Sequence, residues 1–139
     1  MKNYLLVCFL VSVLAVLPAS AMVPEIIGGV RDSLAIGLMA DHSLGKYVGM
    51  RVGVEGNSGK DPLVAFLGGK FALTSLGSSP LAFGIGGVGY FGGSKAKLGI
   101  AISVILNRAF GVSPMFVEGG IDAVEGGGRA QLQIGYKIY

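Results

Sequence analysis

The chain has 139 residues, enough for one domain and too few for two. Hydrophobic residues make up 52% and charged ones 14%, and the mean hydropathy is +0.69; this excludes a disordered chain and is too apolar for an ordinary soluble one. The formal net charge of +3 is small and scattered, which leaves no footprint for nucleic acid.

Residues 1–21 have the parts of a secretory signal peptide: Lys2 near the start, an apolar run from Leu5 to Leu17, then Pro18 and the small-residue end Ala19-Ser20-Ala21. That run is short for a membrane span. Cleavage after Ala21 would start the barrel domain, residues 22–139, at Met22. The one cysteine, Cys8, lies inside the apolar run, so the mature part holds no disulfide, thiolate metal ligand or thiol nucleophile.

Val23 to Val30, with Gly28-Gly29, reads either as a first strand or as a lead-in. Leu34, Ile36, Leu38 and Ala40 then alternate with Ala35, Gly37 and Met39, and a solvated turn is expected at Asp41-His42-Ser43. The cleanest pattern is Tyr47 to Glu55. Val48, Met50, Val52 and Val54 fall on one face, and Tyr47, Gly49, Arg51, Gly53 and Glu55 on the other, because successive strand side chains point to opposite sides. Residues 56–62 are rich in turn formers.

Leu63, Ala65, Leu67, Gly69, Phe71 and Leu73 make the next apolar row, and Lys70 alone assigns the reverse face. After a turn at Gly77-Ser78-Ser79-Pro80, Leu81, Phe83 and Ile85 alternate with Ala82, Gly84 and Gly86. The pattern slips at Gly86-Gly87 and resumes with Val88 and Tyr90, as a bulge would produce. Leu98, Ile100, Ile102, Val104 and Leu106 then oppose Gly99, Ala101 and Ser103. Met115, Val117, Gly119, Ile121 and Ala123 oppose Phe116, Glu118, Gly120 and Asp122. The last strand sets Ala130, Leu132, Ile134, Tyr136 and Ile138 against Arg129, Gln131, Gln133, Gly135, Lys137 and Tyr139.

Seven strands are legible, or eight with Val23 to Val30. One face of each is an aliphatic row; the other gathers small residues with Arg51, Glu55, Lys70, Glu118, Asp122, Arg129 and Lys137. Four cations and three anions on that shared face can pair, and buried charge is tolerable only when paired. In hydrocarbon, every backbone amide needs an internal partner, which for a sheet means closure. The reading is an all-β fold, a closed antiparallel up-and-down transmembrane β-barrel of about eight strands. Val48, Met50, Val52, Val54, Leu98, Ile100, Ile102, Val104, Leu132, Ile134, Tyr136 and Ile138 are the expected lipid-facing residues.

The leader, the alternation and the ending Gln131 to Tyr139 together resemble small eight-stranded outer-membrane barrels built like the OmpA transmembrane domain. That resemblance implies the outer membrane of a Gram-negative-type bacterium as the location. It also implies outer-membrane lipid as surroundings and recognition by the barrel-assembly machinery through the C-terminal strand. Two features depart from it. The terminal Tyr139 falls one residue out of the usual register, and no connection is long enough to be an extended external loop. The aromatic girdle is thin, drawn from Tyr47, Tyr90, Phe91, Phe110, Tyr136 and Tyr139.

Candidate chemistry is sparse. Asp41-His42-Ser43 contains triad residue types, but consecutive turn residues do not converge on one another. Glu118 and Asp122 share a face about 13 Å apart by strand rise, too far for a retaining glycosidase pair. Interior ion pairs with Arg51, Lys70 or Arg129 are the expected use of both. Gly84-Ile85-Gly86-Gly87-Val88-Gly89 fits G-x-G-x-x-G, yet no helix pattern follows it and no acid lies at the required distance. The same glycines could pack a helical hairpin, Leu81 to Phe91 with Leu98 to Leu106, although both runs are short for spans. No cofactor or metal site is expected. The functional expectation is a non-enzymatic barrel with a narrow charged interior, structural or passing very small solutes. The alternatives are a secreted or periplasmic lipocalin-like barrel holding an apolar ligand and, third, an outer-membrane lipid-modifying enzyme.

Overall fold

The computed structural model describes residues 22–139, so the leader expected at residues 1–21 lies outside the described residues. Eight strands follow one another: β1 (Met22–Arg31), β2 (Ser33–Ser43), β3 (Val48–Asn57), β4 (Leu63–Leu76), β5 (Ser79–Phe91), β6 (Lys97–Asn107), β7 (Met115–Val124) and β8 (Gly127–Lys137). Each pairs antiparallel with the next, and β1 pairs with β8 from Glu25↔Lys137 to Arg31↔Gln131, which closes the barrel. Closure gives both edges of the sheet a partner, the condition that backbone burial imposes. The stretch from Val23 to Val30 is therefore a full strand.

The up-and-down order puts Met22 and Lys137 at one end, with the connections at residues 44–47, 77–78 and 108–114. The opposite end carries Asp32 and residues 58–62, 92–96 and 125–126. The tightest reversal is at Asp32, which alone separates the paired Arg31 and Ser33; its φ of 65° lies in the left-handed region that Asp tolerates. Its N–H donates to the Ala130 carbonyl at 3.0 Å. Between β6 and β7 a short 3-10 turn, Ala109–Gly111, brings the chain round.

Two sequence expectations are corrected by the register. Asp41-His42-Ser43 is not a turn but the last stretch of β2, paired with Arg51, Met50 and Gly49 of β3. There is no bulge at Gly86-Gly87, since β5 pairs continuously with β4 and β6 across it. The irregularity lies instead in β4, between Ala72 and Thr74, where Leu73 is the extra residue. Val88 and Tyr90 consequently keep the inward parity of Ala82 and Gly84, and both are buried. The segments considered for a helical hairpin are strands β5 and β6.

An eight-stranded barrel encloses little more than its own side chains, so large inward residues require gaps beside them. Ile27, Val64, Phe66, Ile105 and Phe116 fill the inside. Glycines make the room. A Cβ on Gly135 would meet the Phe116 ring at 2.0 Å, and one on Gly86 would come within 2.4 Å of the Gly68 Cα on the neighbouring strand. Gly86→Val is therefore expected to force β4 and β5 apart and to cost about 1–3 kcal/mol. Urea unfolding of the folded variant measures this; an unchanged midpoint would contradict the close approach of these strands.

Candidate functional site

Because side chains alternate across the sheet, even spacing from Glu25 to Arg31, from Arg51 to Glu55 and from Glu118 to Asp122 sends all six inward from β1, β3 and β7. There they form two crossings of the lumen. The Arg31 guanidinium donates from Nε and Nη2 to Asp122 at 2.8 and 3.1 Å, and from Nη1 to Glu55 at 2.6 Å. Arg51 donates from Nη1 to Glu118 at 2.8 Å and from Nη2 to Glu25 at 3.1 Å. Each arginine thus ties its own strand to two others. The planar fork of a guanidinium suits such two-sided recognition, where an ammonium would act only as a point charge.

Neutral donors complete the acceptors. Tyr90 Oη donates to Asp122 at 2.6 Å, Ser103 Oγ to Glu118 at 2.7 Å, and Gln133 Nε2 to Glu55, while Gln131 donates to Gln133 at 2.8 Å. The guanidiniums also stack near aromatic faces, Arg31 at 5.6 Å from the Phe66 centroid and Arg51 at 5.4 Å from that of Phe116. Arg31, Arg51, Glu25 and Asp122 are at most 2% exposed. A buried ion is expensive unless paired and hydrogen-bonded, so these groups hold one another in place.

Smaller ion clusters stand at the two ends. Toward the termini, Lys70 donates to Asp41, and Lys137 lies 4.0 Å from the same Asp41 oxygen and donates to Asn107 Oδ1 at 3.1 Å. At the opposite end Asp61 accepts from Lys97 at 2.7 Å and from Arg129 at 3.0 Å, and Arg129 also pairs with Asp32 at 3.2 Å. Lys97 and then Arg129 hold the Asp61 carboxyl below the usual carboxylate range. A carboxyl that keeps its charge to lower pH when folded contributes fully above its unfolded pKa; that contribution is lost as pH falls through the depressed folded value. The stability gap between wild type and Asp61→Asn is therefore expected to be full near neutral pH and to shrink as the medium is acidified through the carboxylate range, as read by urea midpoints across a pH series. A gap independent of pH would contradict it.

All seven network residues expected from sequence face inward: Arg51, Glu55, Lys70, Glu118, Asp122, Arg129 and Lys137. Their pairing is partly other than expected. Glu118 does pair with Arg51, but Asp122 pairs with Arg31 although it stands opposite Arg129 in the register; the Arg129 side chain reaches Asp61 and Asp32 instead. Glu118 and Asp122 engage different arginines within the one lumen. Sequence reasoning missed Glu25, Arg31, Asp41, Asp61, Lys97 and Tyr90. Parity carried through Ile27 would have found the first two.

On the outer face Val48, Val54, Leu98, Ile100, Ile102, Val104, Leu132, Ile134 and Tyr136 are exposed and Met50 is half-buried. Val52 is the exception among the expected outward residues at 3% exposure. It is flanked in register by Ala40 and Leu67 and shares a shallow surface groove with Leu38 and Val54, which leave it little free area. Ile138 is exposed but lies beyond β8, its N–H donating to the Pro24 carbonyl at 2.8 Å. Tyr90 does not belong to an outer girdle, being wholly buried inside. Asp41 and His42 are consecutive strand residues and so take opposite faces, which rules out their meeting in a triad.

Fold and network together define the class: a closed eight-stranded up-and-down β-barrel with ions inside and aliphatic residues outside. Compared with protein-family models, curated proteins and solved structures, the chain matches none of them.

Proposed function

We propose that the protein is a small outer-membrane β-barrel whose interior is closed by its own ion pairs, a non-enzymatic component of the cell envelope. The observation that carries this reading is the inverted distribution of polarity. Leu34 and Ile36 are 70% and 69% exposed, whereas Arg31 and Asp122 are 1% and 0% exposed. In water, an outer surface with so many exposed aliphatic side chains would be an aggregation liability. In hydrocarbon the same surface is matched to its surroundings, and the closed sheet leaves no backbone edge to satisfy.

The two arginine crossings fill the middle of the lumen, so the role supported best is mechanical, with passage limited to water or very small ions through gaps between the pairs. A lipocalin-like function calls for an apolar cup, and a lumen built around Arg31, Arg51 and their carboxylates is the opposite of one. A lipid-modifying function calls for a nucleophile and base converging on the outer face, where the side chains are mainly aliphatic.

Separation of inner from outer membranes, with a gel run on unheated and heated samples, tests the reading. The expected result is outer-membrane fractionation and a folded band that shifts on heating. Recovery of the folded chain in the soluble fraction without detergent would overturn it.

A further inference from the structure

At the end where Met22 and Lys137 lie, the lumen opens into a cavity of about 280 Å³ lined by Asp41, Lys46, Tyr47, Lys70, Asn107 and Lys137 among others. We propose that this mouth is a binding site for a phosphate group. Among its described lining residues three ammoniums meet a single carboxylate, Asp41. Below it one guanidinium, Arg51, serves two carboxylates, Glu25 and Glu118, at 3.1 and 2.8 Å, so mouth and upper lumen together set four cations against three anions, with the excess cation at the mouth.

The donor count points the same way. A lysine ammonium has three N–H donors. Lys70 gives one to Asp41 and Lys137 gives one to Asn107, which leaves two on each for a ligand. Both side chains are 17% exposed, so water supplies only part of what they lack. Lys46 stands at the rim with its ammonium 5.1 Å from the Tyr47 ring centroid. Positive charge in a cleft with low-dielectric walls focuses the field on an arriving anion. A tetrahedral phosphate presents several acceptor oxygens to ammoniums arriving from β2–β3, β4 and β8, and lysine serves phosphate as a point charge. At the other mouth Lys97 and Arg129 are matched by Asp61 and Asp32.

The phosphate could be free or part of a lipid headgroup, and two arms of one experiment separate these sources. In the first, the barrel is folded in dodecyl maltoside, which contains no phosphorus, and its lysines are reductively methylated with and without inorganic phosphate, sodium chloride balancing ionic strength. At about ten times its dissociation constant, phosphate is expected to slow modification of Lys70 and Lys137 about tenfold while leaving Lys60 and Lys95 unchanged. Lys137→Gln should weaken phosphate about tenfold, and Lys46→Gln, a rim change with little bearing on folding, by a few-fold. In the second arm, phosphate-free buffer is used with vesicles of phosphatidylglycerol or of galactosyl diacylglycerol.

Protection by inorganic phosphate assigns a soluble ligand, protection only in phosphatidylglycerol assigns a headgroup, and protection in both assigns a site open to either. Protection in neither arm, or equal slowing at Lys60 and Lys95, would overturn the proposal, as would unaltered phosphate affinity in both folded variants. The detergent arm reads the site wherever the barrel resides, so a failure of membrane fractionation and a failure of this site are separate results.

Discussion

Arg51→Met is expected to destabilise the barrel by about 3–5 kcal/mol, the cost of leaving buried carboxylates without their cation. Arg51 joins Glu25 on β1 to Glu118 on β7 from its own place on β3, and its removal strands two ions that are nearly inaccessible to water. The loss is not that of the ion pairs alone. Replacing buried ion pairs with apolar groups can be neutral, so the triple variant Arg51→Met, Glu25→Gln, Glu118→Gln should regain much of what the single change loses. Urea unfolding in detergent, followed by loss of the heat-shifted band, measures both. Equal instability of the single and triple variants would show that packing of Arg51 against Phe116, rather than charge compensation, dominates at this site.

The second large effect is on the outer face. Ile102→Arg is expected to cost about 2–4 kcal/mol in a bilayer, the range for a cation near mid-membrane on a barrel surface. Ile102 is 46% exposed and lies between Ile85 of β5 and Ile121 of β7, near the middle of β6, so an arginine there would have a long way to reach water at either rim. Folding yield into phosphatidylcholine vesicles across a urea series reads the change. A variant that folds as stably as wild type would mean that water, not lipid, meets this face.

These two substitutions act on opposite faces of one alternating pattern, and that pattern was the most legible feature of the chain. Val48 to Val54 against Arg51 and Glu55 carried enough information to assign both faces of β3, and Lys70 correctly assigned β4. Legibility failed where the outward row lost its side chains. Along β5 the outward positions after Ile85 are Gly87 and Gly89, so the apolar residues that catch the eye are the inward Val88 and Tyr90, and the unbroken strand looks slipped. The sequence pattern therefore points Tyr90 to an outer girdle, whereas its hydroxyl donates to Asp122 inside.

Two of the missed ions, Arg31 and Asp41, share a different cause. Arg31 abuts Asp32 and Asp41 abuts His42-Ser43, and polar neighbours of that kind resemble turns. In a closed barrel, however, the strands end at a mouth where inward polar groups are still enclosed, so a charged residue at a strand end can be a lumen residue. Which carboxylate meets which cation was not readable from register. Asp122 lies opposite Arg129 yet binds Arg31, because long side chains cross a narrow lumen more readily than they follow the strand pairing.

The central claim is that the aliphatic rows lie against acyl chains and the ions against one another. Residues 22–139 contain no cysteine, so in that part of the chain single cysteines at Ile36, Ile100 and Ile134 on the outside and at Ser94 in an exposed connection at the barrel's mouth can each carry an environment-sensitive fluorophore. In vesicles, quenching of the three outer positions by brominated lipid, with Ser94 quenched by aqueous iodide, is the expected result. Quenching of the outer positions by aqueous iodide instead, with none by brominated lipid, would contradict the claim.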